Sequence, residues 1–155
     1  MSSLKPTRAL NPNNYQLLQI ATFLLYFTAA SALLSHLGVF GAPTPYFYLG
    51  FKLGGGAVFA RGSTIFLGSG VALANLFEIA AIIGMAYAGA MIASGRKLGW
   101  QLGVVLAGGQ VAIPILLFGA RIIATSYAIT WLFDIALLVT LVHPVSRQYE
   151  KTWYD

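Results

Sequence analysis

The sequence has no cysteine among its 155 residues, which excludes disulfide staples, a thiolate nucleophile and any cysteine-held metal. Charge is nearly as scarce. Asp, Glu, Lys and Arg make up 8% of the chain, against about 25% in a soluble domain. There are four acids and two histidines, so any site built on carboxylates or imidazoles must draw on very few side chains. The glycines at 54–56 lack the lysine and following helix of a phosphate-binding loop and read as a turn. Serines and histidines fall at the ends of apolar runs, and no Ser-His-Asp arrangement is recognisable.

What the chain has in abundance is apolar surface. Hydrophobic residues reach 58% and the mean hydropathy is +0.77, which makes a lipid bilayer the expected solvent. At this length one domain, residues 1–155, is expected. The net charge of +5 comes from basic residues scattered beside apolar segments, with no stripe suited to phosphates, so nucleic acid is not an expected partner.

Hydropathy predicts four spanning helices over about 16–39, 64–93, 98–119 and 122–142, each near the ~20 residues that a ~30 Å hydrocarbon core requires. The first follows Lys5 and Arg8 and contains Ala30-Ser31-Ala32, which mimics a signal cleavage site. Its apolar stretch exceeds the roughly 7–15 residues of a signal core, so a spanning helix is the expectation. Residues 41–63 form the longest connection. Runs 46–53 and 57–66 flank the three glycines and predict a β-hairpin, or a cap whose Tyr46, Phe47, Tyr48 and Phe51 lie at the headgroups. Ser94-Gly95-Arg96-Lys97 reads as a tight basic turn, and His143-Pro144 ends the fourth helix before a polar tail, 145–155.

Lys5, Arg8, Arg96, Lys97, Arg147 and Lys151 fall on one side, with Lys52, Arg61 and Arg121 on the other. The excess predicts that both termini are cytoplasmic and that the 41–63 cap is extracytoplasmic. The expected fold is therefore an all-α, four-helix transmembrane bundle, multi-pass in the cell membrane.

At a rise of about 1.5 Å per residue, Glu78, Gln110 and Asp134 fall near the middle of three different helices, and Tyr26 reaches a similar depth on the first. Ionisable groups at that depth are costly and face protein or water. Small residues flank Glu78 and Gln110 at helical spacing, which turns both toward the bundle. Pro114 cannot donate to the Gln110 carbonyl and frees an acceptor beside the layer. With no basic side chain at this depth, the two acids are expected to be protonated or proton-sharing rather than ion-paired. Glu78, Gln110, Asp134 and Tyr26 are thus the candidate site, either a proton or ion layer or simple interhelical hydrogen bonding. His36 is expected at the interface and His143 at a helix C-terminus, too far apart in depth to share a haem.

Two stretches, 88–103 (AGAMIASGRKLGWQLG) and 137–149 with its His143-Pro144 and Arg147, resemble the inner turn and the chain end of small bacterial four-helix integral membrane proteins. These proteins are largely uncharacterised, so the resemblance implies a topology and no functional residue. The leading functional expectation is a non-enzymatic accessory or structural subunit of a larger membrane complex, partnered by lipid and by other membrane subunits or copies of itself. A proton- or cation-conducting unit using the polar layer is the alternative, followed by a membrane enzyme or a binder of lipid or small molecules. The residues point to no cofactor or metal.

Overall fold

The computed structural model describes residues 12–39, 43–55, 70–124 and 128–153. Six α-helices and no strand occur among these described residues: α1 (Pro12–His36), α2 (Pro45–Leu53), α3 (Gly70–Ala93), α4 (Lys97–Phe118), α5 (Ala128–Val142) and α6 (Pro144–Trp153). A six-residue 3-10 segment, Gly119–Ala124, follows α4. Three helices are long and apolar enough to cross a membrane, over Gln16–His36, Val71–Ala93 and Lys97–Ile122. The bent pair α5 and α6 makes a fourth if it is counted as one span.

The ends of these helices follow from a few residues. Gly38 takes φ 74°, and the Val39 and Gly38 amides donate back to the Leu34 and Ser35 carbonyls at 2.9 Å each. A left-handed residue at this point closes the last turn of a helix, and glycine adopts it without a Cβ penalty. This places His36 in the final turn of α1. Gly95, with φ 72°, does the same for α3 and begins the tight reversal into α4. Pro144 opens α6, where a missing amide hydrogen costs nothing. The axis bends by 47° between α5 and α6.

Three expectations are corrected. Residues 46–53, read as the first strand of a hairpin, lie in the helix α2; the second expected strand, 57–66, lies outside the described residues. Pro45 sits in the first turn of α2 and Lys52 in its last, where fixed φ and a cation both favour a helix. Phe47 and Phe51, one turn apart, are buried and stack, so helical spacing gathers the aromatics against the bundle. Residues 122–124, expected to open the fourth helix, lie instead in the tighter 3-10 segment, and the described helix covers Ala128–Val142. At fifteen residues it spans only about 22 Å. The polar tail, for which the sequence predicts no element, forms the helix α6 over Pro144–Trp153.

The helix α3 is central, packing against α1, α2 and α4, while α5 lies against α4 and α1. Leu18, Leu25, Met85, Leu137 and Leu141 are fully buried, and Ala21, Ala74, Ala81, Ala88 and Ala107 let the helix backbones approach closely. At the end that carries the Ser94–Arg96 turn, α6 folds under the bundle. The Trp100 indole N–H donates to the Leu141 carbonyl at 3.0 Å, the Ser146 hydroxyl to the Thr140 carbonyl at 2.6 Å, and Lys97 lies 3.2 Å from Glu150. At the opposite end, α2 lies along the first turns of α3, where a Cβ on Gly50 would come within 2.7 Å of the Leu73 carbonyl oxygen and 2.9 Å of Ala74 Cα.

Because that obstacle is backbone, Gly50→Val is expected to lift α2 away and lower stability by about 1–3 kcal/mol, the usual cost of overpacking. Thermal unfolding in detergent measures it, and an unchanged midpoint would show that α2 does not dock as described.

Candidate binding site

Glu78 lies on α3 and is 1% exposed. It is not alone. The His36 ring donates through Nδ1 to Glu78 Oε2 at 3.0 Å, and the backbone N–H of Thr44 donates to Oε1 at 3.1 Å. The expectation that no basic side chain reaches the acids therefore fails for Glu78, and His36 sits in a pair rather than alone at an interface. The expected start of α3 at 64 lies outside the described residues. The pairing follows from where Glu78 lies along the described part of this helix, Gly70–Ala93, nearer the end at which α1 finishes. There His36 meets it from the last turn of α1, and Thr44 meets it from the N-terminus of α2, whose dipole also favours a carboxylate. Tyr48, on α2, has its hydroxyl pKa raised by burial and then by the charge of Glu78.

The other two members of the expected layer do come together. Gln110 on α4 and Asp134 on α5, 0% and 1% exposed, line one cavity of about 200 Å³. Thr28, Ser31, Thr44 and Thr130 add hydroxyls to its wall, and Phe27, Ile129 and Phe133 add apolar surface. Four oxygens on this wall are buried without a hydrogen-bond partner: both carboxylate oxygens of Asp134, the Gln110 amide oxygen and the Thr44 hydroxyl. An unmade hydrogen bond at a buried group costs about 1–3 kcal/mol and is rare in native interiors.

Local structure explains each orphan. Thr44 precedes α2 with extended backbone (φ −66°, ψ 158°), the position from which a threonine hydroxyl usually caps a helix. In this chain the Phe47 N–H is taken by the Thr44 carbonyl instead, at 3.0 Å, and the hydroxyl stays in the cavity. The Gln110 amide nitrogen donates to the Met85 thioether, leaving its oxygen toward the cavity. Tyr46 donates its hydroxyl to the Leu106 carbonyl at 2.8 Å rather than to Asp134. Its pKa is pushed up to about 12, first by burial and then by the charge of Asp134, so it holds that proton.

Tyr26 takes no part. Its ring lies against Gly89 and borders a separate hollow with Leu18, Gln19, Thr22, Phe23, Ile92 and Ala93. Two residues along a helix turn the direction by about 200°, so Thr28 faces the cavity and Tyr26 cannot. Pro114 is buried inside a continuous α4. His143 lies at the junction of α5 and α6, where its Nδ1 accepts the Val145 N–H at 3.3 Å. Sequence reasoning misses His36 and Thr44. Thr44-Pro45, with an apolar stretch after it at helical spacing, is the available signal for a helix start.

The exposed members of the wall, Phe27, Ile129 and Phe133, set the mouth between α1 and α5. On the side of the Ser94–Arg96 turn the interior closes with Leu25, Ile92, Leu137 and Leu141, all buried. The cavity is a blind pocket rich in acceptors, and among the described residues no basic side chain lines it.

Removing His36 strands the buried Glu78 carboxylate, so His36→Ala is expected to cost about 1.5–3 kcal/mol, the range for a hydrogen bond to a charged group. In a Glu78→Leu background the same change should cost clearly less. Denaturation of the four proteins of this cycle decides it, since equal losses in both backgrounds would mean that ring and carboxyl do not interact.

No known protein family model, no curated protein and no solved structure matches this chain.

Proposed function

We propose that the chain is a non-enzymatic, multi-pass protein of the cell membrane that binds a small ligand in the cavity between α1, α4 and α5. The α5–α6 pair is its fourth crossing and both termini are cytoplasmic, as the excess of basic residues on that side suggests. One observation carries the reading: Asp134, Gln110 and Thr44, from three separate elements, present unpartnered buried oxygens to one space. Groups retained only to hold helices together would bond to each other across the helices, whereas acceptors held apart around a void suit an incoming donor. The apolar seal toward the Ser94–Arg96 turn favours a blind pocket over a through-going proton or cation path.

A second reading, an accessory subunit of a larger membrane complex, draws on the exposed ridge of Phe23, Phe27 and Phe133, whose neighbouring ring centroids are 6.2 Å apart. Co-purification with other chains in mild detergent would favour it.

A residue kept for binding at the expense of stability has a recognisable signature. Without ligand, Asp134→Leu is expected to raise the unfolding free energy by about 1–3 kcal/mol, the penalty of the unmade bonds it removes. Calorimetric or optical melting checks this, and a lowered midpoint would assign Asp134 to holding the bundle together.

A further inference from the structure

We propose that this cavity takes a small organic ammonium, with its charged head between Asp134 and Gln110 and its carbon body toward Phe27, Ile129 and Phe133. The proposal rests on the binding reading above and names the class of ligand. Among the described residues the wall has no basic group, so an anion would face the Asp134 carboxylate with no cation to offset the repulsion. One carboxylate supplies one negative charge, and among the described residues no group of three or more His, Cys, Asp or Glu could hold a metal ion. Hard divalent ions such as calcium take about six to eight oxygen ligands. Four oxygens on this wall lack partners, and the rest of it is largely carbon.

An ammonium with an alkyl body uses both halves. Its three N–H groups supply donors to the two Asp134 oxygens and the Gln110 amide oxygen, each now without one, with the Thr44 hydroxyl beside them. The ammonium also compensates the ionised carboxylate with its own charge, which a neutral donor does not. The Phe27 and Phe133 rings, with centroids 6.2 Å apart at the mouth, attract a passing cation through their π faces and then cover the alkyl part. At ~30 Å³ for each water-sized group, the cavity of about 200 Å³ has room for about six heavy atoms. The wall residues exposed between α1 and α5, Phe27, Ile129 and Phe133, are all apolar, which suits entry of an alkyl amine from the surrounding lipid.

The test uses the full chain in lipid nanodiscs, titrated with butylammonium, 1-butanol, butyrate or sodium ion and followed by calorimetry. Butylammonium is expected to bind saturably, roughly tenfold or more tightly than 1-butanol, with no binding of butyrate. Asp134→Asn should weaken butylammonium by roughly tenfold or more. Ser31→Leu, which fills the cavity and leaves the carboxylate in place, should abolish binding and serves alone if Asp134→Asn does not fold. Equal affinity in either variant overturns the proposal. If 1-butanol or sodium binds as tightly as butylammonium and Ser31→Leu removes it, the ammonium is overturned while the binding reading stands. If no probe binds, both fall.

Discussion

The Glu78 carboxylate is the constraint on which the rest of this structure depends. Charge at that depth in an apolar bundle is costly unless it is paired and hydrogen-bonded. His36 and the Thr44 amide satisfy it from two different elements, so one carboxylate joins the last turn of α1, the first residue before α2 and the body of α3. The positive φ of Gly38, the proline at the start of α2 and the bare Cα of Gly50 all serve this junction. Gly38 ends α1 where His36 can reach inward, and Gly50 lets α2 lie against the backbone of α3.

That junction also shapes the cavity. With its amide committed to Glu78 and its carbonyl to Phe47, Thr44 is fixed with its hydroxyl free and turned into the pocket. The two acids of the bundle thus have opposite circumstances although they lie at neighbouring depths. Glu78 is fully engaged and structural, whereas both carboxylate oxygens of Asp134 lack a donor. Tyr46 on α2, whose hydroxyl feels the charge of Asp134, is committed to the Leu106 carbonyl, which leaves Asp134 open.

Much of this is legible in the sequence, and where it is not the reasons are physical. Hydropathy locates the long apolar helices well, because twenty consecutive apolar residues have few alternatives. It fails at α2 and α6, where short amphipathic segments match strand or tail patterns equally until tertiary packing selects the helix. Hydropathy gives no sign that the last turn of α1 brings His36 to Glu78, because that contact joins residues 42 apart in sequence. Depth singles out Gln110 and Asp134, which share one wall; it singles out Tyr26 by the same rule, and Tyr26 lies elsewhere.

The sequence by itself determined depth. Rise per residue is fixed at about 1.5 Å, so counting from a helix end places any side chain along the bundle. Only the tertiary structure decided direction around each axis. Each residue turns by about 100°, and helices so uniformly apolar carry no polar face to declare which side is inward. Packing of small residues at Ala74, Ala81 and Ala107 fixes that rotation. It is the rotation that turns Asp134 and Gln110 toward a common space, gives Glu78 to His36, and leaves Tyr26 outside.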